Sequence, residues 1–428
     1  MGQTIVEKVF SRKNVAGKPV RAGDIIEAKL DLVRFQYGFG PLIREAAKEM
    51  GFPEGLPRVF DPQRVCVFVD HHQPALSQAL ADSNVVTRQE VKRLGIKVFQ
   101  DAQPGIGHQM LMDRGLARPG MLIVGVDSHT ISYGALNAVS RAEAGGGVIY
   151  AALFGELWFE VPQTIKVTLE GHLPNYPISK DIILYLAGKY GDEFGQGQAI
   201  EYAGPLVSQL SMDSRMCLAD HGVEVGAQFA IFPCDQKTIE YVRARSNQPF
   251  EPTNPDPDAE YVQEITLNVD EIPFVVAKPH RFGNVAPVSE VAGTRIDQAM
   301  IGSCANGRFE DIEIAARMLK GRRVAPHVRF IISPASQAVY LQCLKAGLVE
   351  TLVEAGVQFV APGCSICQPM LGFLSDGEVC ISSTTRNYRG RKGSLKAEIY
   401  LAGPLTVTAA AVAGEIADPR DVFPEIKR

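Results

Sequence analysis

Cys364 and Cys367, in the segment PGCSICQ (362–368), are the side chains of this sequence best suited to holding a metal. A C-x-x-C pair by itself leaves several readings open: half of a zinc site, a redox couple, two ligands of an iron-sulfur cluster, or no role. Zinc usually takes a fourth Cys or His at matching spacing, and the sequence has neither a second C-x-x-C nor an H-x-x-x-H. A thioredoxin-like pair belongs near the start of a small βαβ domain, whereas this pair stands late in a 428-residue chain. A third cysteine, Cys304 in IGSCANGRFED (301–311), sits at a strand-to-helix junction where Gly302 and Asn306 favour a tight turn. Three soft thiolates without a fourth protein ligand suit an iron-sulfur cluster with one open iron better than a closed zinc site.

Acid-base candidates follow two other runs: Asp70 with His71, and Asp127, Ser128 and His129. A carboxylate on one imidazole nitrogen fixes the tautomer and raises the basicity of the other, so each pairing could serve proton transfer. A histidine without such a partner is more often structural. That reading is taken for His172, His280 and His327, while His72 and His221 stay open.

The elements that must position these groups are legible as short apolar runs alternating with amphipathic stretches, the pattern of an α/β protein. Buried strands are expected at 64–70, 121–127, 298–304, 328–333 and 357–363, half-exposed strands at 164–171 and 264–270, and a helix over 308–321. Four of the buried runs end in the chemistry-bearing residues, as expected where a site gathers at the carboxyl ends of parallel strands. The Pro-, Asn- and Asp-rich stretch 246–261 is expected to be a loop, and a softer boundary falls near 278–287. The division expected is an N-terminal region, 1–284, carrying the Asp-His and Asp-Ser-His motifs, and a C-terminal region, 285–428, carrying the cysteines.

Apolar residues make up 46% of the chain, enough for a sizeable core, and a formal charge of −5 without a basic run argues against a nucleic-acid partner. No stretch offers about 18 continuous apolar residues, so no membrane span is expected and the localisation expected is cytoplasmic. Eight cysteines at irregular spacing do not form a secreted disulfide framework.

MIGSCANGRFEDIEIAARML and PGCSICQPM resemble the two cluster-ligand signatures of the aconitase superfamily, and STTRNYRGRKGS is similar to its substrate-arginine segment. VDHH, GVDSHT and RMCLADHGVEVGAQ match further blocks in the right order, so the resemblance covers most of the chain. The branch it resembles most is the large subunit of the two-subunit isopropylmalate dehydratases and homoaconitases. The resemblance implies α/β/α three-layer domains around a central cluster, without the family's swivelling fourth domain. It implies a hydro-lyase acting on a malate-type di- or tricarboxylic acid, as in leucine biosynthesis, through a 4Fe-4S cluster on Cys304, Cys364 and Cys367. Asp70 and His71 would protonate the leaving hydroxyl, and His108 with Asp127, and His129 with Glu224, would be supporting pairs. Ser128, Asn306, Arg308, Arg386 and Arg391 would bind substrate, the arginines as bidentate carboxylate clamps. Arg389 and Lys392 are read as solvated surface charge. Because the family's catalytic serine sits in the swivelling domain, the resemblance also implies a small-subunit partner that completes the site.

The sequence departs from the family's pattern at Ala305, where Thr is usual, at Thr385, where Asn is usual, at 140–147, and at Tyr37 and Phe39 in RFQYGFGP. These positions surround the ligands and point to a bulkier or more apolar malate derivative. The alternatives are homoaconitase, a 2-methylmalate, dimethylmalate or aryl-malate hydro-lyase, and, from another class, a catalytically drifted binding or scaffold subunit on the same fold.

Overall fold

The structure is a computed structural model and describes residues 2–368 and 370–426; Pro369, in the cysteine segment, lies outside them. The expected buried runs are strands, each shorter than its run. Val65–Phe68, Leu122–Gly125, Gln298–Ile301 and Arg329–Ile332 are almost wholly buried, and the run 357–363 yields the short strand Gln358–Phe359. Among the described residues four sheets form: an antiparallel pair, Ile25–Lys29 with Glu156–Glu160, and three larger ones. The first is five-stranded and fully parallel, in the order Val98–Gln100, Val65–Phe68, Leu32–Phe35, Leu122–Gly125, Val139–Ala142. The second is four-stranded and parallel, in the order Phe229–Ile231, Ala199–Ala203, Thr164–Glu170, Gln263–Asn268. Strands buried on both faces, as Leu32–Phe35 and Leu122–Gly125 are, favour continuous apolar sequences, whereas Thr164–Glu170 and Gln263–Asn268 alternate as expected.

The third sheet has seven strands, in the order Val285–Pro287, Val275–Ala277, Glu398–Ala402, Val379–Ser382, Gln298–Ile301, Arg329–Ile332, Gln358–Phe359. Its first two strands pair antiparallel at one edge and the rest run parallel. The expected division after residue 284 falls at the end of the turn between these two edge strands. Residues 247–262 form an irregular connection, as their composition predicts.

Helix Phe309–Leu319 buries Ile312, Ile314, Ala315, Ala316, Met318 and Leu319. The Asp311 carboxylate accepts from the Arg308 backbone N–H at 3.0 Å and caps its first turn. Burying a side chain the size of Ile or Leu contributes roughly 1.5–3 kcal/mol, so this face fixes the helix, and with it the Cys304 turn, chiefly against helix Pro404–Ala413.

Candidate active site

The carboxyl ends of the first and third sheets supply the candidate residues. From the first sheet, Phe68 leads into Asp70 and His71, and Gly125 into Asp127, Ser128 and His129. From the third, Ile301 leads into Cys304 and Ser382 into Arg386. Helix Gly107–Asp113 brings His108, and the turn after helix Met212–Asp220 brings Glu224.

Cys304, Cys364 and Cys367 share one small buried cluster with Ile106 and Ala335. Gly302 permits this approach: a Cβ there would stand 2.4 Å from Ile366 Cδ1 and 2.7 Å from the Ser333 carbonyl oxygen. Ser303, with φ +74°, holds the left-handed turn just before the cysteine, a conformation costing a non-glycine residue about 1–2 kcal/mol. Within the C-x-x-C, the Cys364 thiol donates to Cys367 and holds the latter well below the usual thiol range. Burial opposes this, while the Arg391 and Lys392 charges reinforce it. Arg391 Nη2 donates to Cys367 Sγ at 3.1 Å, and the Thr385 hydroxyl lies 3.2 Å from the same sulfur. Cys304 is pushed up to about 12 by burial and by the neighbouring Asp220 carboxylate.

His71 Nδ1 lies 2.8 Å from Asp70 Oδ1, and His71 Nε2 lies 3.4 Å from Asp127 Oδ2. Asp70 is fixed on its other side, accepting from Arg34 Nη2 at 2.6 Å and from the Gly107 N–H at 2.8 Å. Burial alone would raise the Asp70 carboxyl; the His71 ring and Arg34 guanidinium reverse this and keep it below its ordinary value. His71 moves the other way, raised above 6.5 because the Asp70 carboxylate outweighs the cost of burial. His108 is driven down to about 4 by burial and by Arg34, so it stays neutral, with Nε2 3.0 Å from Asp127 Oδ1. His129 Nε2 lies 3.1 Å from Glu224 Oε1. Arg386 Nε donates to that same oxygen at 2.7 Å, and its Nη2 donates to Ser128 Oγ at 3.0 Å. The Asp-His, His-Asp and His-Glu pairings expected from sequence are therefore in contact.

Other expectations fare differently. Asn306 and Arg308 are fully buried. Asn306 Nδ2 donates to Asp311 Oδ1 at 2.9 Å, and Arg308 donates to Gln109 Oε1 and the Ala305 carbonyl, so both brace the Cys304 turn. Lys392 is not surface charge: it is 1% exposed and lowered to about 8 by burial. Its neighbour Arg389 is exposed, as expected. Phe39 faces the core and packs on Phe35, while the Tyr37 ring lies 4.9 Å from the His71 ring and 4.5 Å from that of His72. His221 is buried, with Nε2 2.6 Å from Lys180 Nζ.

Sequence reasoning missed Arg34, Tyr133 and Asp220. Arg34 interrupts the apolar strand LVRF, and a lone cation in a buried strand was the available signal. Tyr133, whose hydroxyl lies 3.3 Å from His108 Nδ1, carried none. Asp220 closes a mostly buried helix, and ring nitrogen, carboxylate and sulfur of His129, Asp220 and Cys304 lie within 4.8 Å of one another.

The 3-isopropylmalate dehydratase large subunit 1 of Methanopyrus kandleri is 43% identical over 423 residues, covering 98% of this chain and 99% of its own. A probable methanogen homoaconitase large subunit of Methanosarcina mazei is 42% identical over 396 residues, covering 92% and 100% respectively. The crystal structure of Thermococcus kodakaraensis aconitase X shares the fold at a TM-score of 0.50 and 12% identity, over 88% of each chain. Among the described residues no helix is long and apolar enough to cross a membrane. The sequence model of the aconitase family (aconitate hydratase) matches residues 42–414, and the chain belongs to that family.

Proposed function

We propose that this chain is the large subunit of a hydro-lyase that removes and restores water on a malate-type acid, with 3-isopropylmalate the first candidate substrate. The observation carrying this reading is the gathering of Cys304, Cys364 and Cys367, with Gly363 against the Asp70 backbone carbonyl and Arg391 on the Cys367 sulfur. Three buried sulfurs in an apolar surround, one favoured as thiolate, are a donor set fitted to a 4Fe-4S cluster with one iron left open. Such a cluster would supply a Lewis acid for the substrate hydroxyl.

The protein's own groups supply the rest. His71, its hold on a proton strengthened by Asp70, is positioned to hand that proton to a departing hydroxide, and the buried Arg34–Asp70 pair keeps the ring oriented. Burial and Arg34 keep His108 neutral, and Asp127, 3.0 Å from its ring, faces His71. Arg386, steadied by Glu224 and Ser128 and still partly exposed, offers a guanidinium edge to a substrate carboxylate. Arg391 serves the Cys367 sulfur first and lies at the same edge. Tyr37, tilted against His71 and edge-on to His72, is placed to meet the substrate's side group.

A small subunit with the catalytic base and the substrate-discriminating loop completes this proposal, in line with the "large subunit" names of the relatives. The test is anaerobic co-expression with the small subunit, followed by assays on isopropylmalate, homocitrate, citramalate, citrate and aryl-malates. Turnover of one of them supports the reading. A brown, iron-loaded complex inert on all of them would favour the drifted scaffold instead.

A further inference from the structure

The Asp220 carboxylate has no place in the proposed dehydration, yet it is 0% exposed and neither of its oxygens has a hydrogen-bond partner among the described residues. A buried carboxylate left in that state calls for a cation. Beside it stand the Cys304 sulfur and a His129 ring nitrogen, residues 2% and 5% exposed, and the three ligand atoms lie within 4.8 Å of one another. We propose that in the cluster-free chain His129, Asp220 and Cys304 bind a single thiophilic divalent cation of the zinc or ferrous class.

One sulfur, one nitrogen and one oxygen are the donors such ions accept, and three protein ligands leave a fourth position for water. Around a tetrahedral ion with bonds of about 2.0–2.3 Å, ligand atoms sit roughly 3.3–3.8 Å apart, so closing the site asks for side-chain shifts of about an ångström. The outer groups are in place as well. If Nδ1 of His129 binds, Nε2 faces Glu224 at 3.1 Å; if Nε2 binds, Nδ1 faces Asp127 at 3.6 Å. A carboxylate behind the ring fixes the tautomer in either case. Binding releases the Cys304 thiol proton to solvent, and Cys364 and Cys367 take no part.

The site itself does not depend on the cluster proposal. One consequence does rest on it: since Cys304 is common to both, ion and cluster exclude each other, and zinc should block cluster assembly.

The test uses full-length, cluster-free protein titrated with Co2+ as the probe. One Co2+ per chain with a thiolate-to-cobalt charge-transfer band is expected in wild type and, with similar affinity, in Cys364→Ser/Cys367→Ser. Asp220→Asn should weaken binding by at least about tenfold, the least that loss of even an outer-shell partner costs. Loss of the band in the double serine variant with none in Asp220→Asn would place the ion on the cysteine pair and overturn the site while leaving the cluster reading intact. Absence of any thiolate band in wild type overturns it too. Should Asp220→Asn misfold by circular dichroism, His129→Gln serves as the second ligand deletion, and unweakened cobalt binding there counts against the site equally.

Discussion

His71 and Asp70 are adjacent in sequence, but their chemistry is set by Arg34, thirty-six residues away and wholly buried. Because that guanidinium and the Gly107 N–H hold one Asp70 oxygen, the other is aimed at the His71 ring. Replacing His71 by Gln should leave iron content unchanged and lower turnover by about 10²–10⁴-fold, the usual contribution of a positioned proton donor. Turnover within a few-fold of wild type would remove His71 from that role. The raised His71 value also has a stability consequence. A group whose folded-state value lies above its ordinary 6.5 stabilises fully below that pH and loses its contribution as pH rises through the folded value. Urea denaturation of cluster-free wild type and His71→Gln should thus show the widest gap on the acid side of 6.5, narrowing toward alkaline pH. A gap that widens with pH would contradict the Asp70–His71 assignment. Removing Arg34 alone should be more damaging to the fold, because breaking one side of a buried ion pair costs about 3–5 kcal/mol.

The ligand-bearing elements show how far sequence pattern reaches. Val65–Phe68, Leu122–Gly125 and Gln298–Ile301 are continuous apolar runs ending in polar chemistry, and helix Phe309–Leu319 announces itself by its buried stripe, its early acids and the glycine beyond it. Periodicity reports which backbone is buried. It does not report which charges the fold turns inward, and so Arg34, Asp220 and Lys392 stayed hidden or were misplaced. For Arg308 and Asn306 the resemblance implies substrate binding, and only the folded turn shows them bonded back to Gln109, Ala305 and Asp311. At this scale the sharpest prediction concerns Gly302. An alanine Cβ would press on Ile366, which lies between Cys364 and Cys367, and force the two ligand segments apart. Gly302→Ala should therefore lose cluster iron and about 1–3 kcal/mol of stability, the usual range for overpacking. Cys343→Ser, in a helix outside the cysteine cluster, should keep its iron. Equal iron loss in both variants would show that the turn has no special part.

Across the whole molecule, the parallel strands of two sheets turn their carboxyl ends toward one site, and neither sheet carries all of it. The first contributes proton-handling groups and the third contributes sulfurs and arginines. A site divided in this way senses how the sheets are held against each other, and a partner subunit closing over it would complete both halves at once. The chain alone should then take up iron yet turn over substrate at least about 10²-fold more slowly than the complex, the loss expected when a catalytic group is missing. Full activity without a partner would end the two-subunit proposal. The most direct test of the central claim is iron and acid-labile sulfide analysis of anaerobically purified protein. The account predicts about four of each per chain in wild type, and their loss in Cys304→Ser, Cys364→Ser and Cys367→Ser but not in Cys66→Ser. Colourless wild-type protein, or serine variants at these three positions that keep their iron, would contradict it.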